Sequence, residues 1–550
     1  MSFEKSKKEN MIKSTNKKSN NMFSNSILAL IVLGIIGIII RLLYFPYEVP
    51  FTYDSLDYFS YATSMSQVGH FPNNWALVNN GWPSFVSFFF TLFNNGSFIE
   101  YTHLQRVLNV LISVLTIIPV YFLARKFFRK SLSIIVVSLF IFEPRIIFNS
   151  LLGITESIYI LLVITTLCLF FSDKKKFVYI SFVIAALCSI IRYEGLLFII
   201  PISIMFFIRF RRDNKLILKY LLALGIFLLV LSPIAMLRID AWGEDGLLSS
   251  YFAGVIYVTE DLTTGNEPDE LWVKENQDSK IPFIINGFTN LTKLFGYLLI
   301  PFFIIVFPVS LFYLIKNKSW KKIDYKTYTL ILFSFVIMIP AFYGYGRNLE
   351  EIRFLFPLLP MLCLLSIPIF DKIQTSIRKP KITTTIFLIC IIFVSFMAME
   401  YQNIDYEHEL EAFEVAKYLV KNANGVNYIS PESTYFKPAE VEMKWPLIPK
   451  PSVAIGHGHI SLDVKKFLAE DFESIEEFLV ESKNSGLTHL ILDGKENRAK
   501  FLNLIYQNDD DYPFLEKIYD SHEHGLKYHV KIYLINYESF EEIHKKDVIG

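Results

Sequence analysis

The feature that most constrains this chain is a series of long apolar blocks separated by short, charged connections. Candidate membrane spans lie at about 27–45, 103–124, 132–148, 155–171, 177–191, 196–208, 216–237, 291–315, 327–343, 353–370 and 382–399. Blocks of this length are typical of membrane-spanning helices. We therefore predict a polytopic α-helical membrane protein with about eleven spans.

Composition supports this class of protein. Of the 550 residues, 53% are hydrophobic and only 19% are charged, whereas a soluble domain is about 25% charged. The net charge is zero and no basic domain stands out, so we predict no nucleic-acid partner. The four cysteines lie inside apolar blocks, which indicates small buried hydrophobic residues and neither disulfides nor a metal cluster.

The connections between the blocks alternate in charge. Short basic connections occupy residues 125–130, 173–176, 209–215, 316–322 and 378–381, and the intervening connections are acid-rich. Short basic loops stay on the cytoplasmic side of a membrane. We therefore predict a cytoplasmic basic tail over 1–26, a retained signal anchor and an external C-terminal region. We predict that the membrane is the plasma membrane, or the endoplasmic reticulum in a eukaryotic source.

Three stretches are predicted to lie outside the membrane on the external side. Two are loops at about 46–102 and 238–290, and loops this long are usually functional or disordered. The third, 401–550, has soluble composition and alternates helical with strand-like patterns, which predicts an extracytoplasmic α/β domain. The transmembrane domain is accordingly predicted to span 27–400.

Two aspartates follow the first apolar block, in "VPFTYDSLDYF". Asp54 and Asp57 share one face if the segment is helical, because they are three residues apart. Such a pair could act as a base, bind a metal or repel each other. The alternative is an ordinary solvated loop.

Further ionisable residues gather at the predicted external ends of the spans. They are Arg106, Glu143, Arg145, Glu156, Arg192, Glu194, Arg347, Glu350, Glu351 and Arg353. Ionisable groups at membrane depth are functional candidates, although snorkelling or helix capping explains some of them equally well. Arginine binds two phosphate oxygens at once. A carboxylate base with arginines, open to lipid, fits a lipid-phosphate donor.

Several segments, in order, resemble signatures of the GT-C superfamily of integral membrane glycosyltransferases. They are "YDSLDYFSYATSMSQVGHFP", "NNGWPSFVSFFF", "THLQRVLNVLISVLTIIPVYFLARKFF", "GITESIYILLV", "IIRYEGLLFIIP" and "EEIRFLFPLLP". The resemblance covers about 27–400. It is closest to the group that contains protein O-mannosyltransferases and bacterial lipid A aminoarabinose transferases, which is similar to glycosyltransferase family 39.

The resemblance implies transfer of a sugar, mannose or another hexose, from a polyprenyl- or dolichyl-phosphate donor to an external or lumenal acceptor. Asp54 matches the catalytic acid of the family's first loop, and Ser55 stands where many members have a second acid. Whether Asp57 replaces that acid is open, as is a divalent metal, and we predict no other cofactor. The predicted roles are catalytic for Asp54 and Asp57, donor phosphate-binding for Arg106, Arg192, Arg347 and Arg353, and supporting for Glu143, Glu156 and Glu194.

The candidate aspartates and arginines are suited to sugar transfer independently of the family resemblance. An aspartate can take the proton of the acceptor hydroxyl as attack develops, and arginines can stabilise the leaving phosphate. One displacement inverts the anomeric centre, whereas a retaining route needs a second carboxylate as nucleophile. Asp57 leaves the retaining route open, and the resemblance favours inversion.

Other readings of the chain compete with this one. A transporter or flippase usually shows paired repeats and broken helices, which the sequence does not show, and a noncatalytic membrane subunit would explain Ser55. An oligosaccharyltransferase catalytic subunit would carry a Trp-Trp-Asp signature, which is absent from the sequence. The "GHGH" at 456–459 is a weak zinc motif. The acceptor can be protein, glycan or lipid, and we expect the external domain to help select it.

Overall fold

The structure is a computed structural model of the chain. It describes residues 26–51, 53–73, 75–93, 96–253, 280–316, 324–402, 406–422, 426–429, 453–455, 469, 472–484, 486–494, 499–527 and 529–549. Most of the N-terminal tail, much of the predicted loop at 238–290 and the two histidines of "GHGH" lie outside the described residues.

Helices dominate the first 402 residues. In chain order they are α1 (Ser26–Leu43), α2 (Tyr53–Val68), α3 (Gly81–Leu92), α4 (Phe98–Leu115), α5 (Ile117–Ala124), α6 (Lys130–Ile141), α7 (Pro144–Leu151), α8 (Glu156–Phe170), α9 (Lys175–Ile191), α10 (Ile199–Phe210), α11 (Leu216–Trp242), α12 (Lys280–Leu298), α13 (Phe303–Lys316), α14 (Tyr325–Gly346), α15 (Leu359–Leu365), α16 (Ile367–Ile377) and α17 (Pro380–Gln402). Two 3-10 helices, Tyr193–Phe198 and Ile352–Leu358, interrupt this series.

Many of these helices can cross a membrane. Within the described ranges, seven are long and apolar enough, or up to nine if each bent pair is one span. The prediction of a polytopic helical membrane protein is confirmed, whereas the count of about eleven spans stays a prediction. The number of spans depends on how bent helices are counted. The predicted span 132–148, for example, bends by 50° between α6 and α7, because Pro144 occupies the first turn of α7 and cannot continue the preceding helix.

The chain divides into two compact units. Unit 1 contains Met1–Phe45, Trp75–Ser84 and Gln105–Asn403, and unit 2 contains Pro46–Asn74, Phe85–Leu104 and Ile404–Gly550. The domain boundaries predicted from the sequence, 27–400 and 401–550, stay predictions.

The core of unit 1 is apolar and continuous around α6. Ile135, Val136 and Val137 are fully buried there. Apolar side chains also cover the outside of unit 1, and Leu229 and Ile305 are each 71% exposed. Large apolar residues on both the inner and the outer side of a helix are typical of spans that face lipid.

A polar row on α4 packs against the C-terminal end of α7. Asn109 donates to the carbonyl oxygens of Asn149 and Ser150, and Gln105 donates to that of Gly153. The last carbonyls of a helix have no partner within that helix, and inside a membrane such groups must be satisfied by protein. The polar row of α4 therefore allows α7 to end inside the bundle.

Unit 2 contains the C-terminal sheet. Its elements are α18 (Glu407–Asn422), β1 (Val426–Ile429), β2 (Val453–Ile455), α19 (Ile475–Lys483), β3 (Leu487–Leu492), α20 (Lys500–Gln507), β4 (Leu515–Asp520), β5 (Lys531–Ile535) and α21 (Tyr537–Ile549). The strand order is β2-β1-β3-β5-β4, with β1 parallel to β2 and β3 and with β5 antiparallel to β3 and β4. Helices and strands thus alternate here as the sequence predicts.

Candidate functional site

A cleft with several charged side chains lies in unit 1 where α8 begins. It is lined by Glu156, Tyr159, Arg192, Glu194, Phe198, Val336, Ile337, Pro340, Arg353, Phe354 and Pro357. The charged side chains come from the start of α8 and from the two 3-10 helices, and the proline and aliphatic residues come mainly from α14. Nearly buried charged side chains that converge beside an apolar wall are typical of a ligand site, so the cleft is the candidate functional site.

Arg192 is the central charge of this cleft. Its Nη1 donates to Oε1 of Glu156 at 2.7 Å and its Nη2 donates to Oε1 of Glu194 at 2.8 Å. The exposed fractions of the three side chains are only 12%, 2% and 13%, in the order Arg192, Glu156 and Glu194. One guanidinium thus faces two carboxylates in a nearly buried place. Such a group carries a local excess of negative charge and needs a further cation or a proton.

A second cation and a polar atom complete the cleft. Arg353 lines it, and its Nε lies 3.1 Å from Oε2 of Glu351 in an ion pair. Oε2 of Glu194 is buried and finds no hydrogen-bond partner among the described residues. Buried carboxylate oxygens are normally bonded, so a hydroxyl donor from a ligand would be favourable at this atom.

Aromatic rings form one wall of the cleft. The guanidinium of Arg192 lies 5.9 Å from the ring centre of Tyr159, and that ring stacks on Phe198 at 6.0 Å. Rings and aliphatic side chains next to arginines give the cleft an apolar side and a cationic side. This combination suits an amphipathic anion.

Close packing fixes the turn that carries Arg192 and Glu194. A Cβ on Gly195 would lie 2.6 Å from the carbonyl carbon of Cys188 in α9, so only glycine fits there. The amide of Tyr193 donates to Oδ1 of Asn79 at 3.1 Å, and the hydroxyl of Tyr251 donates to the carbonyl of Tyr193. The tight turn expected between the two apolar blocks is present as this 3-10 helix.

The structure gives Glu143 a separate environment. Glu143 is fully buried at the bend between α6 and α7, and its Oε1 accepts from Arg145 at 3.1 Å. Arg145 also donates to the carbonyl oxygens of Tyr297 and Ile300, where α12 ends. This pair therefore stabilises two helix breaks, and a direct role for Glu143 stays a prediction.

Two predicted phosphate-binding arginines have other contacts. Arg106 is nearly buried, and its Nε donates to the carbonyl of Leu151 at 3.1 Å, at the end of α7. Arg347 lies with its guanidinium 5.7 Å from the ring centre of Tyr343. Neither lines the cleft around Arg192, and their roles in phosphate binding stay predictions.

Asp54 and Asp57 belong to unit 2. Both lie on α2, with Asp54 in its first turn, so the helical condition for a shared face is met. Both are partly buried. A carboxylate in the first turn of a helix is stabilised by the helix dipole. Ser55, where a second acid is expected, is buried on the same helix.

The described residues offer no ready metal site. No group of three or more His, Cys, Asp or Glu side chains in that part of the chain is arranged to hold an ion. In the cleft, Arg192 already neutralises one oxygen each of Glu156 and Glu194.

Two buried arginines were missed by sequence reasoning. Arg41 of α1 is fully buried, and its Nε donates to Oγ of Ser150 and its Nη2 to Oγ of Ser113. Arg238 of α11 is also fully buried and donates from Nε and Nη2 to Oδ1 of Asn80 at 3.2 and 2.6 Å. Both arginines stand inside apolar blocks of the sequence, and this position could have indicated buried, functional or structural arginines.

Sequence comparison connects a continuous part of the chain with a known family. Residues 82–237 match a family described as dolichyl-phosphate-mannose-protein mannosyltransferase. The match includes Glu156, Arg192 and Glu194 of the cleft. No curated protein matches the chain significantly.

Comparison of folds finds membrane enzymes from archaea and bacteria. The chain is similar to an Archaeoglobus fulgidus oligosaccharyltransferase in complex with Zn and sulfate, with TM-score 0.56, 13% identity and coverage of 84% of this chain and 68% of that one. A second structure of an oligosaccharyltransferase from this archaeon, AglB with an inhibitory peptide and a dolichol-phosphate, gives TM-score 0.52, 12% identity and coverage of 85% and 69%.

A third structure covers both chains almost completely. It is ArnT from Cupriavidus metallidurans bound to undecaprenyl phosphate, with TM-score 0.53, 10% identity and coverage of 92% of this chain and 97% of that one. Identities this low establish the fold alone. They confirm the fold class predicted from the sequence, and the family match over residues 82–237 supports the resemblance to GT-C glycosyltransferases. Residues 82–237 thus match a mannosyltransferase family, and the chain has the fold of these oligosaccharyltransferase and ArnT structures.

Proposed function

We propose that this protein transfers a sugar from a polyprenyl- or dolichyl-phosphate donor to an acceptor on the external or lumenal face of its membrane. The observation that carries the proposal is the cleft in which Arg192 and Arg353 meet an apolar wall. A lipid phosphate needs cationic groups for its head and apolar groups for its chain. The similar folds from Archaeoglobus fulgidus and Cupriavidus metallidurans hold a dolichol-phosphate and undecaprenyl phosphate, which supports this class of donor.

In this proposal, the arginines stabilise the leaving phosphate. The guanidinium of Arg192 is held between Glu156 and Glu194 before any ligand arrives. Preorganised charge of this kind lowers the barrier, because it needs no rearrangement as the phosphate develops negative charge. Arg353 is the second arginine proposed to donate hydrogen bonds to the phosphate, and Arg106 and Arg347 are further candidates for this role.

Glu194 is proposed to contact the sugar or the acceptor. Its buried Oε2 is an available acceptor within the described part of the cleft, and a sugar hydroxyl is a suitable donor for it. Glu156 and Glu143 support the site by holding Arg192 and Arg145.

Asp54 is proposed as the base that takes the proton of the acceptor hydroxyl. The assignment rests on its match to the acid of the family's first loop and on its place in the first turn of α2. A single base and one displacement invert the anomeric centre. Asp57 would act with Asp54 in binding a metal or in a retaining route, so the stereochemistry of the product tests its role.

The sugar, the acceptor and the membrane belong to the proposal as well. The family match supports mannose or another hexose as the transferred sugar. We propose that the N-terminus is cytoplasmic and that 401–550 forms an external domain that selects the acceptor, because the short connections at 125–130 and 209–215 are basic. The membrane is then the plasma membrane or the endoplasmic reticulum.

Transfer assays with cleft variants test the proposal. We expect Arg192→Gln and Arg353→Gln each to lower sugar transfer about 100-fold or more, because one missing donor to a developing anion has this effect. Arg125→Gln is the matched control, since Arg125 follows α5 outside the cleft and donates to the carbonyl of Phe128. Normal transfer by both cleft variants would refute a phosphate-binding role. Adding a chelator to the wild type decides metal dependence.

A further inference from the structure

A second cleft of unit 1 combines basic and aromatic residues. It is a shallow cleft between α9, α10 and α11, and its lining includes Lys175, Lys219 and Asp213 together with the rings of Tyr179, Phe206 and Phe210. It is formed at the connections that precede α9 and follow α10. Its residues are separate from those of the cleft around Arg192.

Two ammonium groups share one carboxylate in this cleft. Nζ of Lys175 lies 2.9 Å from Oδ2 of Asp213, and Nζ of Lys219 bonds Oδ1 of the same residue. The hydrogen bonds from Lys219 and Lys175 hold the pKa of Asp213 below its ordinary value, so this carboxylate stays charged. One carboxylate cannot neutralise two ammonium groups, and a positive charge remains at the mouth of the cleft.

The flanking sequence adds to this charge. Residues 173–176 and 209–219 contain eight basic and two acidic residues, a net charge of +6. Lys174, Arg211, Arg212 and Lys215 are exposed. By contrast, Arg209 already donates to the carbonyl oxygens of Phe170 and Ser172, at the end of α8. The exposed charges surround the cleft and would attract an anion from a distance.

Apolar side chains next to the cleft distinguish between two sources of that anion. Ile217 and Leu218, in the first turn of α11, are 69% and 62% exposed, and Phe207 of α10 is also exposed. Free phosphate gains nothing from such residues, whereas the acyl chains of a lipid would lie along them. Basic pockets between transmembrane helices bind anionic lipid head groups.

We propose that the cleft formed by Lys175, Lys219, Tyr179 and Phe206 binds the phosphate of an anionic glycerophospholipid from the adjacent leaflet. The phosphate lies between the two lysines, and the acyl chains pack along α10 and α11. The site is independent of the sugar-transfer proposal, since it shares no residue with the cleft around Arg192. Its occupant would fix the ends of three helices relative to the membrane surface.

Lipid retention by the full-length protein in detergent micelles tests this proposal. Native mass spectrometry measures the affinity for phosphatidylglycerol, phosphatidylcholine and, in a competition arm, inorganic phosphate. We expect phosphatidylglycerol to bind in preference to phosphatidylcholine. Each lysine near an anionic lipid contributes about fivefold in affinity, so Lys175→Gln/Lys219→Gln should weaken phosphatidylglycerol binding about 25-fold.

Two matched variants separate a site from a general charge effect. Lys174→Gln/Arg212→Gln removes one exposed cation from each connection outside the cleft lining and should weaken binding less than Lys175→Gln/Lys219→Gln does, because neither residue lines the cleft. Lys175→Arg/Lys219→Arg keeps both charges and should bind normally, and its thermal midpoint shows whether the fold tolerates changes there. Equal losses in the two glutamine variants, no preference for phosphatidylglycerol, or complete competition by millimolar inorganic phosphate would each overturn the proposal.

Discussion

The ion pairs of Arg192 give the sharpest test of how the site is built. Replacing Arg192 by glutamine leaves Glu156 and Glu194, with side chains 2% and 13% exposed, without their guanidinium. Removing one partner of a buried ion pair costs about 3–5 kcal/mol, because the remaining charge is uncompensated. The hydrogen bonds from Arg192 at 2.7 and 2.8 Å give a similar sum, since a bond to a charged group contributes about 1.5–3 kcal/mol. We therefore expect Arg192→Gln to lower the free energy of unfolding by about 3–5 kcal/mol.

A triple variant shows whether uncompensated charge is the cause. Glu156→Gln/Arg192→Gln/Glu194→Gln removes all three charges and keeps side chains of similar shape, so it should recover most of the stability lost in Arg192→Gln. Unfolding by SDS in mixed micelles measures the free energies of both variants and the wild type. Sugar transfer should stay lost in the triple variant, which separates folding from function. A triple variant as unstable as Arg192→Gln would refute the electrostatic explanation.

Three further predictions concern packing, hydrogen bonding and pH. Gly195→Ala places a Cβ 2.6 Å from the backbone of Cys188 and should lower the free energy of unfolding by about 1–3 kcal/mol. Ala185→Gly serves as the comparison. If SDS unfolding shows no loss of stability in Gly195→Ala, the close approach of the two backbones is contradicted. Asn80→Ala removes the acceptor of two hydrogen bonds from buried Arg238 and should lower the free energy of unfolding by about 2–4 kcal/mol. Asn79→Ala removes one hydrogen bond to the backbone and should lower it by about 1 kcal/mol. Equal losses in the two variants would contradict this ranking. Burial raises the pKa of Asp520, but hydrogen bonds from His529 and from the amide of His522, together with the charge of Lys517, hold this pKa below its ordinary value. The stabilisation of the C-terminal sheet by Asp520 is therefore complete above about pH 4 and is lost as pH falls through the lower folded pKa. Hydrogen exchange of β4 should show this loss in the wild type but not in Asp520→Asn.

The order of the apolar blocks was sufficient to predict the fold class. Alternating blocks and motifs such as "IIRYEGLLFIIP" indicated a helical bundle with a tight turn at Arg192, and the 3-10 helix at Tyr193–Phe198 is that turn. The C-terminal alternation of helix and strand patterns likewise indicated an α/β arrangement, because each pattern has its own period. These are local properties of the sequence.

The partners of the charged residues could not be predicted in this way. The sequence predicts a functional role for Arg106, but the hydrogen bond from Arg106 to the carbonyl of Leu151 depends on where α7 ends against α4. Glu143 and Arg145 similarly satisfy each other and the break after α12. Such contacts join residues far apart in the chain, and an apolar pattern carries no information about them. The grouping of Glu156, Arg192, Glu194 and Arg353 in one cleft is likewise a tertiary property.

One assay tests both the proposed transfer of a sugar from a lipid phosphate and the proposed role of Asp54 as the base. The most direct test measures sugar release from a panel of polyprenyl- and dolichyl-phosphate sugars with a mixed acceptor extract, using purified wild type and Asp54→Asn. The account predicts turnover of at least one donor by the wild type and loss of that turnover in folded Asp54→Asn. Equal turnover by both proteins would remove Asp54 from the mechanism, and no turnover with any donor would contradict the proposed transferase itself.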